Sequence, residues 1–204
     1  MTEEQFSELI ARGREQPSVE FKRPGLRTDK HLFAKVVRAI LGMTNRRDGG
    51  YVIVGVEEIP TGLVPTGLNQ EELVTWKYDH VADGLASYAD PSVEFDVVEV
   101  TVDSKTFIVI KVEEFAEVPV LCKKGYNKDK VVVLREGACY VRSRRKPETI
   151  EVSTYADMRD LIDLATDKGV RRFVSRAHSA GLSVAVSEGK SAEILYDEQM
   201  EDFK

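Results

Sequence analysis

The chain has 204 residues, of which 42% are hydrophobic and 31% charged, with a formal net charge of −6. These proportions favour a folded domain over a disordered chain, and without an apolar run of about 18 residues we expect no membrane span. The acidic N-terminus lacks the pattern of a signal peptide. Cys122 and Cys139 are too few for a disulfide scaffold, so we expect reduced thiols and a cytoplasmic location.

Hydrophobic periodicity predicts alternating helices and strands in the first half of the chain. In chain order we expect a helix over residues 5–12, a strand over 18–22, a helix over 29–44, a buried strand over 51–56, a loop over 60–67 and a helix over 70–88. Asp29 is the predicted N-cap of the helix 29–44. Asp48-Gly49-Gly50 predicts a turn with a glycine at positive φ, and the alternative is a phosphate cradle of backbone N–H groups.

The second half of the chain is predicted to be mostly β-structure followed by helices. The expected elements are a hairpin of strands 93–102 and 106–112, short strands over 119–122, 131–134 and 138–142, a helix from residue 153, and a helix over 170–180 after a break at Gly169. The apolar positions that indicate the first of these helices are Met158, Leu161, Ile162 and Ala165.

This order of elements predicts an α+β fold, with a mixed, largely antiparallel sheet and flanking helices. We expect one domain over residues 1–165, followed by a C-terminal helix and an acidic tail over residues 166–204. The charge is distributed unevenly: residues 59–122 carry twelve acids and three bases, whereas residues 123–146 carry nine bases and two acids. An acidic protein with this distribution can still present a basic surface.

Three sequence motifs occur in order along the chain. Residues 15–22 are similar to an E-x4-E-F-K motif, and Asn45 with residues 49–58 is similar to an N-T-x-G-G strand that ends in G-V-x-D. Pro119 with residues 135–143 is similar to a G-x-x-Y-V-R block. In this order, the three motifs resemble the AlbA_2-type domain of Schlafen-related proteins. The resemblance covers about residues 3–165, and it implies a nucleic-acid-binding fold of this type.

The second motif departs from the family pattern at three points. Arg46 replaces the threonine, one extra residue precedes Gly49, and Glu58 replaces the final aspartate. These changes leave the fold assignment intact and weaken the assignment of an active site.

Glu15, Glu20, Lys22 and Glu58 form a candidate catalytic site if the strands around them are neighbours. Glu20 and Lys22 point to the same face of a strand because side chains alternate. Clustered carboxylates repel unless a cation joins them, so Glu15, Glu20 and Glu58 can bind Mg²⁺ or Mn²⁺. Lys22 can stabilise charge on a phosphate. The resemblance implies a match with the acidic triad of Schlafen endoribonucleases, and the alternative is an ordinary Glu20–Lys22 ion pair with Glu15 and Glu58 solvated.

A basic surface is the predicted contact for nucleic acid. Its members surround a predicted hairpin tip or follow the last strand: Lys123, Lys124, Lys128, Lys130, Arg142, Arg144, Arg145 and Lys146. Tyr126 and Tyr140 lie among them and are candidates for base stacking. Contacts of this kind position a polymer through its phosphates without reading its sequence. The alternative is a solvated hairpin with lysines on its exposed face.

Three functions therefore stay open. The first is a module that binds DNA or RNA, and the second is a metal-dependent nuclease that uses Glu15, Glu20, Glu58 and Lys22. The third is a protein-interaction module that uses the acidic segment 59–122 and the tail. Schlafen nuclease cores pair two similar lobes and this chain has one, so the resemblance also implies a homodimer. We expect no membrane partner and no cofactor other than Mg²⁺ or Mn²⁺.

Overall fold

The computed structural model describes residues 3–11 and 16–182, and these residues contain five α-helices and twelve strands. The helices are α1 (Glu3–Ala11), α2 (Lys30–Thr44), α3 (Gln70–Leu73), α4 (Tyr78–Ala86) and α5 (Tyr155–Ser179), with a 3-10 turn at Val74–Trp76 between α3 and α4. The strands are β1 (Val19–Lys22), β2 (Gly50–Val54), β3 (Val56–Ile59), β4 (Gly62–Pro65), β5 (Ala89–Asp90), β6 (Phe95–Val102), β7 (Lys105–Val112), β8 (Leu121–Cys122), β9 (Tyr126–Lys128), β10 (Val131–Leu134), β11 (Tyr140–Arg142) and β12 (Thr149–Glu151).

A four-stranded sheet in the order β1-β2-β7-β6 is the largest sheet of the described fold. β1 and β2 are parallel, whereas the pairs β2–β7 and β7–β6 are antiparallel. The other strands pair two by two, and each of these pairs is antiparallel. The predicted α+β fold with a mixed, largely antiparallel sheet is therefore confirmed.

The sheet is buried on both faces, as its β-branched strand predicted. Side chains alternate along β2, so Val52 and Val54 join the hydrophobic cluster around α2, whereas Ile53 joins the opposite cluster. In the opposite cluster, Phe6 of α1 lies against Phe107 with the two ring centroids 4.6 Å apart. α2 and α1 therefore cover different faces of the same sheet.

Two local predictions around α2 are confirmed by backbone geometry. The carboxylate of Asp29 accepts hydrogen bonds from the backbone N–H groups of His31 (2.9 Å) and Leu32 (3.2 Å), which makes it the N-cap of α2. Gly49 has a φ of +60°, and a Cβ built there would lie 2.0 Å from the carbonyl oxygen of Val112. Only glycine fits this turn, so the turn interpretation accounts for the motif.

Three element predictions are wrong. The predicted loop 60–67 contains the turn and second strand of the hairpin β3–β4, where Gly62 adopts a φ of +130°. The predicted helix 70–88 is interrupted at Lys77, which is extended, directly after Trp76 turns inward and donates from Nε1 to the Gly25 carbonyl at 2.8 Å. Gly169 does not break α5, because one glycine inside a helix costs only about 1 kcal/mol.

The apolar positions that indicated α5 differ in burial. Leu161 is buried, and Ala165 packs partly buried against the core. Met158 and Ile162, however, are exposed. Apolar residues occupy two sides of this helix, and only the side with Leu161 and Leu164 faces the core.

The chain divides into two compact units, residues 1–166 and 167–204. The first unit holds all the described strands. In the second unit, Gly181 has a left-handed φ of +74°, and the N–H of Leu182 donates to the Ala177 carbonyl at 2.9 Å, which closes the end of α5. The acidic tail, residues 183–204, lies outside the described residues. Within the described part of the chain, no helix is both long and apolar enough to cross a bilayer.

Candidate nucleic-acid interface

A groove of about 710 Å³ beside α2 gathers basic side chains from three parts of the fold, and we call it the α2 groove. α2 contributes His31, Lys35 and Arg38, which we call the α2 wall; β1 contributes Lys22, and the hairpin β9–β10 contributes Lys128. Residues three or four apart face the same way on a helix, which explains why the three members of the α2 wall enter one groove.

The α2 wall combines one fixed side chain with one that extends freely into solvent. Arg38 donates from Nη2 to the Thr149 carbonyl at 3.0 Å, and its guanidinium lies 5.2 Å from the centre of the Tyr140 ring. Lys35 is exposed. Burial lowers the pKa of the half-buried His31, and the charges of Lys35 and Lys128 lower that pKa further. His31 is therefore a neutral imidazole at neutral pH.

The α2 groove also contains carboxylates, so its charge is mixed. Glu20, Glu58, Asp129 and Glu148 line it, and each comes from outside α2. The candidate catalytic site required that the strands around Glu20, Lys22 and Glu58 are neighbours. They are, because β1 and β2 pair in parallel and β3 follows β2 almost directly. Glu58 is exposed on β3.

Glu20 is buried and bonded on both carboxylate oxygens. Oε1 accepts from the ammonium of Lys22. Oε2 accepts from the guanidinium of Arg142 and from Oγ1 of Thr149, the latter at 2.9 Å. The Glu20–Lys22 ion pair that we considered as an alternative is therefore present, and Arg142 adds a second cation to it.

Arg142 lies inside the protein and not on the predicted basic surface. Besides Glu20, its guanidinium donates to Oγ1 of Thr149 at 3.1 Å and to the carbonyls of Pro17 (3.1 Å) and Gln16 (3.3 Å). We call Glu20, Arg142 and Thr149 the Arg142 joint, because they tie β1 to β11 and β12. A buried charge is tolerated only when it is paired and hydrogen-bonded, so this arginine serves the fold.

The described residues do not form a metal site. Among residues 3–11 and 16–182, no group of three or more His, Cys, Asp or Glu side chains is placed to hold a metal ion. Both oxygens of Glu20 are bonded within the protein, and Glu15 lies outside the described residues. Of the three predicted ligands, Glu58 alone is both described and exposed.

The predicted lysines of the basic surface are exposed, but they do not all face the α2 groove. Lys128 lines the groove from the hairpin β9–β10. Lys130 lies at the tip of that hairpin, where it and Asp129 have φ values of +66° and +49°. Lys123 and Lys124 are exposed on the segment between β8 and β9.

Arg144 lines a second cleft, of about 510 Å³, which also contains Arg46. The Nε of Arg144 donates to the carboxylate of Asp160 at 2.8 Å. Arg145 and Lys146 are exposed between β11 and β12. The predicted basic surface is thus divided between two cavities, with Lys128 in one and Arg144 in the other.

The sequence prediction missed the α2 wall and overestimated the aromatic contribution. Tyr140 is buried, so no base can stack on its ring. Tyr126 is half-buried, with its ring centroid 6.4 Å from that of His31. The sequence did indicate a polar side of α2. Amphipathic spacing, however, shows only that this side is exposed and does not show that it forms the wall of a groove.

The family of the chain is decided by residues 15–151, which match the family model named Schlafen, AlbA_2. The chain belongs to the Schlafen AlbA_2 family. In this AlbA_2 domain the three motifs meet in the interior. Glu20 of the first motif binds Arg142 of the third, and the side-chain amide of Asn45 from the second donates to the carbonyls of Tyr140 (2.9 Å) and Val120 (2.8 Å). The motifs therefore specify internal joints of the fold.

Two solved structures are similar to this AlbA_2 chain. The DIP2311 protein from Corynebacterium diphtheriae matches with 20% identity and a TM-score of 0.45, over 73% of this chain and 27% of that chain. The N-terminal domain of a protein related to the ATP-dependent DNA helicase RecG, from Nitrosomonas europaea, matches with 22% identity and a TM-score of 0.45, over 61% of this chain and 82% of that chain. This chain thus spans 27% of the DIP2311 protein. None of the curated proteins matches it.

Proposed function

We propose that this AlbA_2 domain binds the phosphate backbone of DNA or RNA in the α2 groove. The observation that carries the proposal is the convergence of the α2 wall with Lys22 of β1 and Lys128 of the hairpin β9–β10. The ammonium group of lysine and the guanidinium group of arginine neutralise phosphates and release the counterions bound to them. This release supplies most of the affinity in sequence-independent binding. Family membership supports the same class of ligand.

The other sides of the groove restrict how a strand can lie in it. Glu58 and Asp129 repel phosphates, so the backbone is expected to follow α2. Val131 and Val132 of β10 are 64% and 51% exposed and line the same groove, which gives sugars or bases an apolar surface. We therefore expect phosphates towards α2 and the less polar parts of each nucleotide towards β10.

Charge reversal in the groove tests the proposal. The double variant Lys35→Glu/Lys128→Glu is compared with wild type by fluorescence anisotropy on single-stranded RNA, single-stranded DNA and duplex DNA at several salt concentrations. We expect at least a tenfold loss of affinity, and a salt dependence reduced by about 0.7–0.9 per lost phosphate contact. Unchanged affinity in the double variant would show that nucleic acid does not bind in this groove.

A matched control is Lys105→Glu, which reverses an exposed lysine on β7 whose Nζ donates to the Pro65 carbonyl at 2.8 Å. Arg144→Glu/Arg145→Glu tests the remaining part of the predicted basic surface. Equal losses in the groove variant and in Lys105→Glu would indicate a general charge effect and not a site.

A metal-dependent nuclease is the second candidate, because Glu20, Lys22 and Glu58 line the same groove. In this proposal Glu15, Glu20 and Glu58 hold Mg²⁺ or Mn²⁺, and Lys22 stabilises charge on the phosphate. The metal would supply Lewis-acid chemistry at the phosphate when bound. Glu20 would first have to exchange a protein partner for the metal, because both of its oxygens are already bonded.

Glu58→Gln is the informative variant for this candidate, because Glu58 is exposed and its loss leaves the Arg142 joint intact. Structured RNA and single-stranded DNA are incubated with the protein in Mn²⁺ or in EDTA. Cleavage that is lost both in EDTA and in Glu58→Gln, with binding retained, supports the nuclease. Binding without cleavage under every metal condition rejects it. Neither binding nor cleavage would favour the protein-interaction module.

We further propose that the chain acts as a homodimer in the cytoplasm. The location is supported by the chemistry of its thiols, since Cys122 and Cys139 are both free. Burial raises the pKa of Cys139 to about 11 and also raises that of Cys122, so both thiols stay protonated and unreactive. Gel filtration with light scattering tests the homodimer.

A further inference from the structure

β6 is the edge strand of the four-stranded sheet, and one of its two sides is open. It pairs with β7 along its whole length, Phe95–Val102. No strand among residues 3–11 and 16–182 pairs with its other side. An unpaired strand edge presents a row of backbone N–H and C=O groups, which can bond to an added strand.

The hydrogen bonds to β7 determine which backbone groups of β6 point to the open side. In an antiparallel pair, alternate residues exchange both bonds with the partner strand. The Glu113 N–H donates to the Glu94 carbonyl at 3.0 Å, so the even-numbered residues from 94 to 102 are bonded to β7. The turn at Asp103-Ser104, with φ values of +49° and +61°, agrees with this assignment, because such a turn bonds its first residue, Val102, to its fourth. The residues that direct their N–H and C=O groups outward are therefore Phe95, Val97, Glu99 and Thr101.

The side chains along this open edge are acidic. From residue 94 to residue 103 the sequence has four acids and no base. All four acids are exposed: Glu94, Asp96, Glu99 and Asp103. Val98, between the second and third of them, is 47% exposed. Lys111 lies opposite Asp96 on β7, but it forms its ion pair with Glu113, so the edge keeps its negative charge.

This charge selects the class of partner. Phosphates are repelled by the four acids, so the edge does not suit nucleic acid. A second copy of β6 carries the same four acids and no base, so pairing two copies would bring like charges together, which is unfavourable. A basic chain has the complementary charge, and in an extended conformation it can also bond to the outward backbone groups.

We propose that β6 binds an extended basic segment of another protein, which adds to the sheet as a fifth strand. Asp96 and Glu99 are three positions apart, so they lie on opposite faces of β6. The segment therefore carries a lysine or arginine on each of its own faces, and an apolar residue between them lies against Val98. The inference is independent of the proposed nucleic-acid binding in the α2 groove and of the proposed homodimer.

The first experiment measures the charge preference by fluorescence anisotropy, with the full chain and a labelled, capped peptide, Thr-Val-Lys-Val-Thr-Lys-Val-Thr. In an antiparallel register its two lysines face Glu99 and Asp96, and the valine between them faces Val98. We expect binding at least tenfold tighter than for the matched peptide with glutamate in place of both lysines. Asp96→Lys/Glu99→Lys should reverse this preference. The control Glu57→Lys/Asp83→Lys makes the same change of charge at exposed positions on β3 and α4, and it should keep the preference.

The second experiment tests strand addition by amide hydrogen exchange, followed residue by residue with NMR. Saturating basic peptide should slow exchange at least tenfold at the four outward amides, and it should have less effect at Asp96 and Val98, which are already bonded to β7. N-methylation of the peptide at its first lysine and middle threonine, whose amides face β6, should weaken binding at least tenfold. N-methylation at the central valine and second lysine, whose amides face away, is the matched control.

Several results would overturn the proposal. No binding of the basic peptide, or equal affinity for the basic and acidic peptides, removes the charge-selected partner. Binding that leaves the four outward amides unprotected is not strand addition. Protection of those amides that rises with the concentration of the protein alone would show that a second copy occupies the edge. The groove variant Lys35→Glu/Lys128→Glu should bind the peptide as wild type does, so failure of nucleic-acid binding and failure of this inference are seen in different measurements.

Discussion

The Arg142 joint and the α2 wall both contain an arginine, and the two regions use its charge for opposite purposes. Arg142 is 7% exposed and meets the carboxylate of Glu20 inside the protein. Arg38 is held by the neutral carbonyls of Val133 and Thr149 while it lines a groove. A buried arginine that is neutralised internally stabilises the fold, whereas an arginine that is fixed by neutral carbonyls stays available to an anion from solvent. The comparison separates residues that build this fold from residues that can bind a ligand.

The largest expected effect is a loss of folding stability when the Arg142 joint is broken. Arg142→Ala removes one of the two cations that bind the buried Glu20 and leaves the Lys22 ion pair. Breaking a buried pair costs up to about 3–5 kcal/mol. Urea unfolding measures the loss. Arg145→Ala, at an exposed position, is the control and should change stability by less than about 0.5 kcal/mol.

The double variant Glu20→Met/Arg142→Met sharpens the same prediction. It removes both charges together, so it should be clearly more stable than Arg142→Ala. If the double variant were no more stable than Arg142→Ala, the broken Glu20–Arg142 pair would not be the cause of the loss.

Asn45 should show the next largest effect on stability. Its amide donates to the carbonyls of Val120 and Tyr140, and its Oδ1 accepts from the Val120 N–H at 2.8 Å, so Asn45→Ala leaves three buried backbone groups without this partner. Each such group costs about 1–3 kcal/mol when it stays unbonded. Asn127→Ala, on the exposed strand β9, is the control and should unfold at the wild-type urea concentration.

The α2 wall should show the reverse behaviour, with a change in binding and none in stability. Lys35→Gln is expected to lower the salt dependence of nucleic-acid binding by about 0.7–0.9, the contribution of one phosphate contact. Its urea midpoint should equal that of wild type because Lys35 is exposed. Lys30→Gln, on the first turn of the same helix, is the control, and an equal effect there would show that Lys35 has no special position.

The smallest expected effect concerns pH and His31. Its pKa in the folded chain lies below its ordinary value of 6.5, so the unfolded chain takes up the proton first as the pH falls. The contribution of His31 to stability is therefore complete above that value and is lost as the pH falls through the lowered pKa. An anion in the groove raises the pKa of His31, so affinity should increase as the pH falls below about 6.5. His31→Gln should remove that increase, as titrations at several pH values would show.

The fold was predictable to the extent that local patterns determine it. The N-cap at Asp29 and the buried strand β2 follow from short sequence signals, and both are present. The split of the predicted helix 70–88 was not predictable, because it depends on the tertiary bond between Trp76 and Gly25.

The site was predictable only in part, for a related reason. Alternation along β1 correctly placed Glu20 and Lys22 on one side. A second cation bound to Glu20, Arg142, is 122 residues away, so spacing gave no sign that this arginine is internal. His31, Lys35 and Arg38 were missed because their importance comes from the hairpin and strand that complete the groove.

Two basic side chains of the α2 groove, Lys22 and Arg38, are held in place by hydrogen bonds within the protein. The ammonium of Lys22 is held by Glu20 and by the Phe21 carbonyl at 3.1 Å, and the guanidinium of Arg38 is held by carbonyls from two strands. These two groups are preorganised, so little conformational entropy is lost when they meet a ligand. Their fixed positions would set where successive phosphates of a nucleic-acid strand bind. Lys35 and Lys128 would adjust their side chains to the strand that is bound.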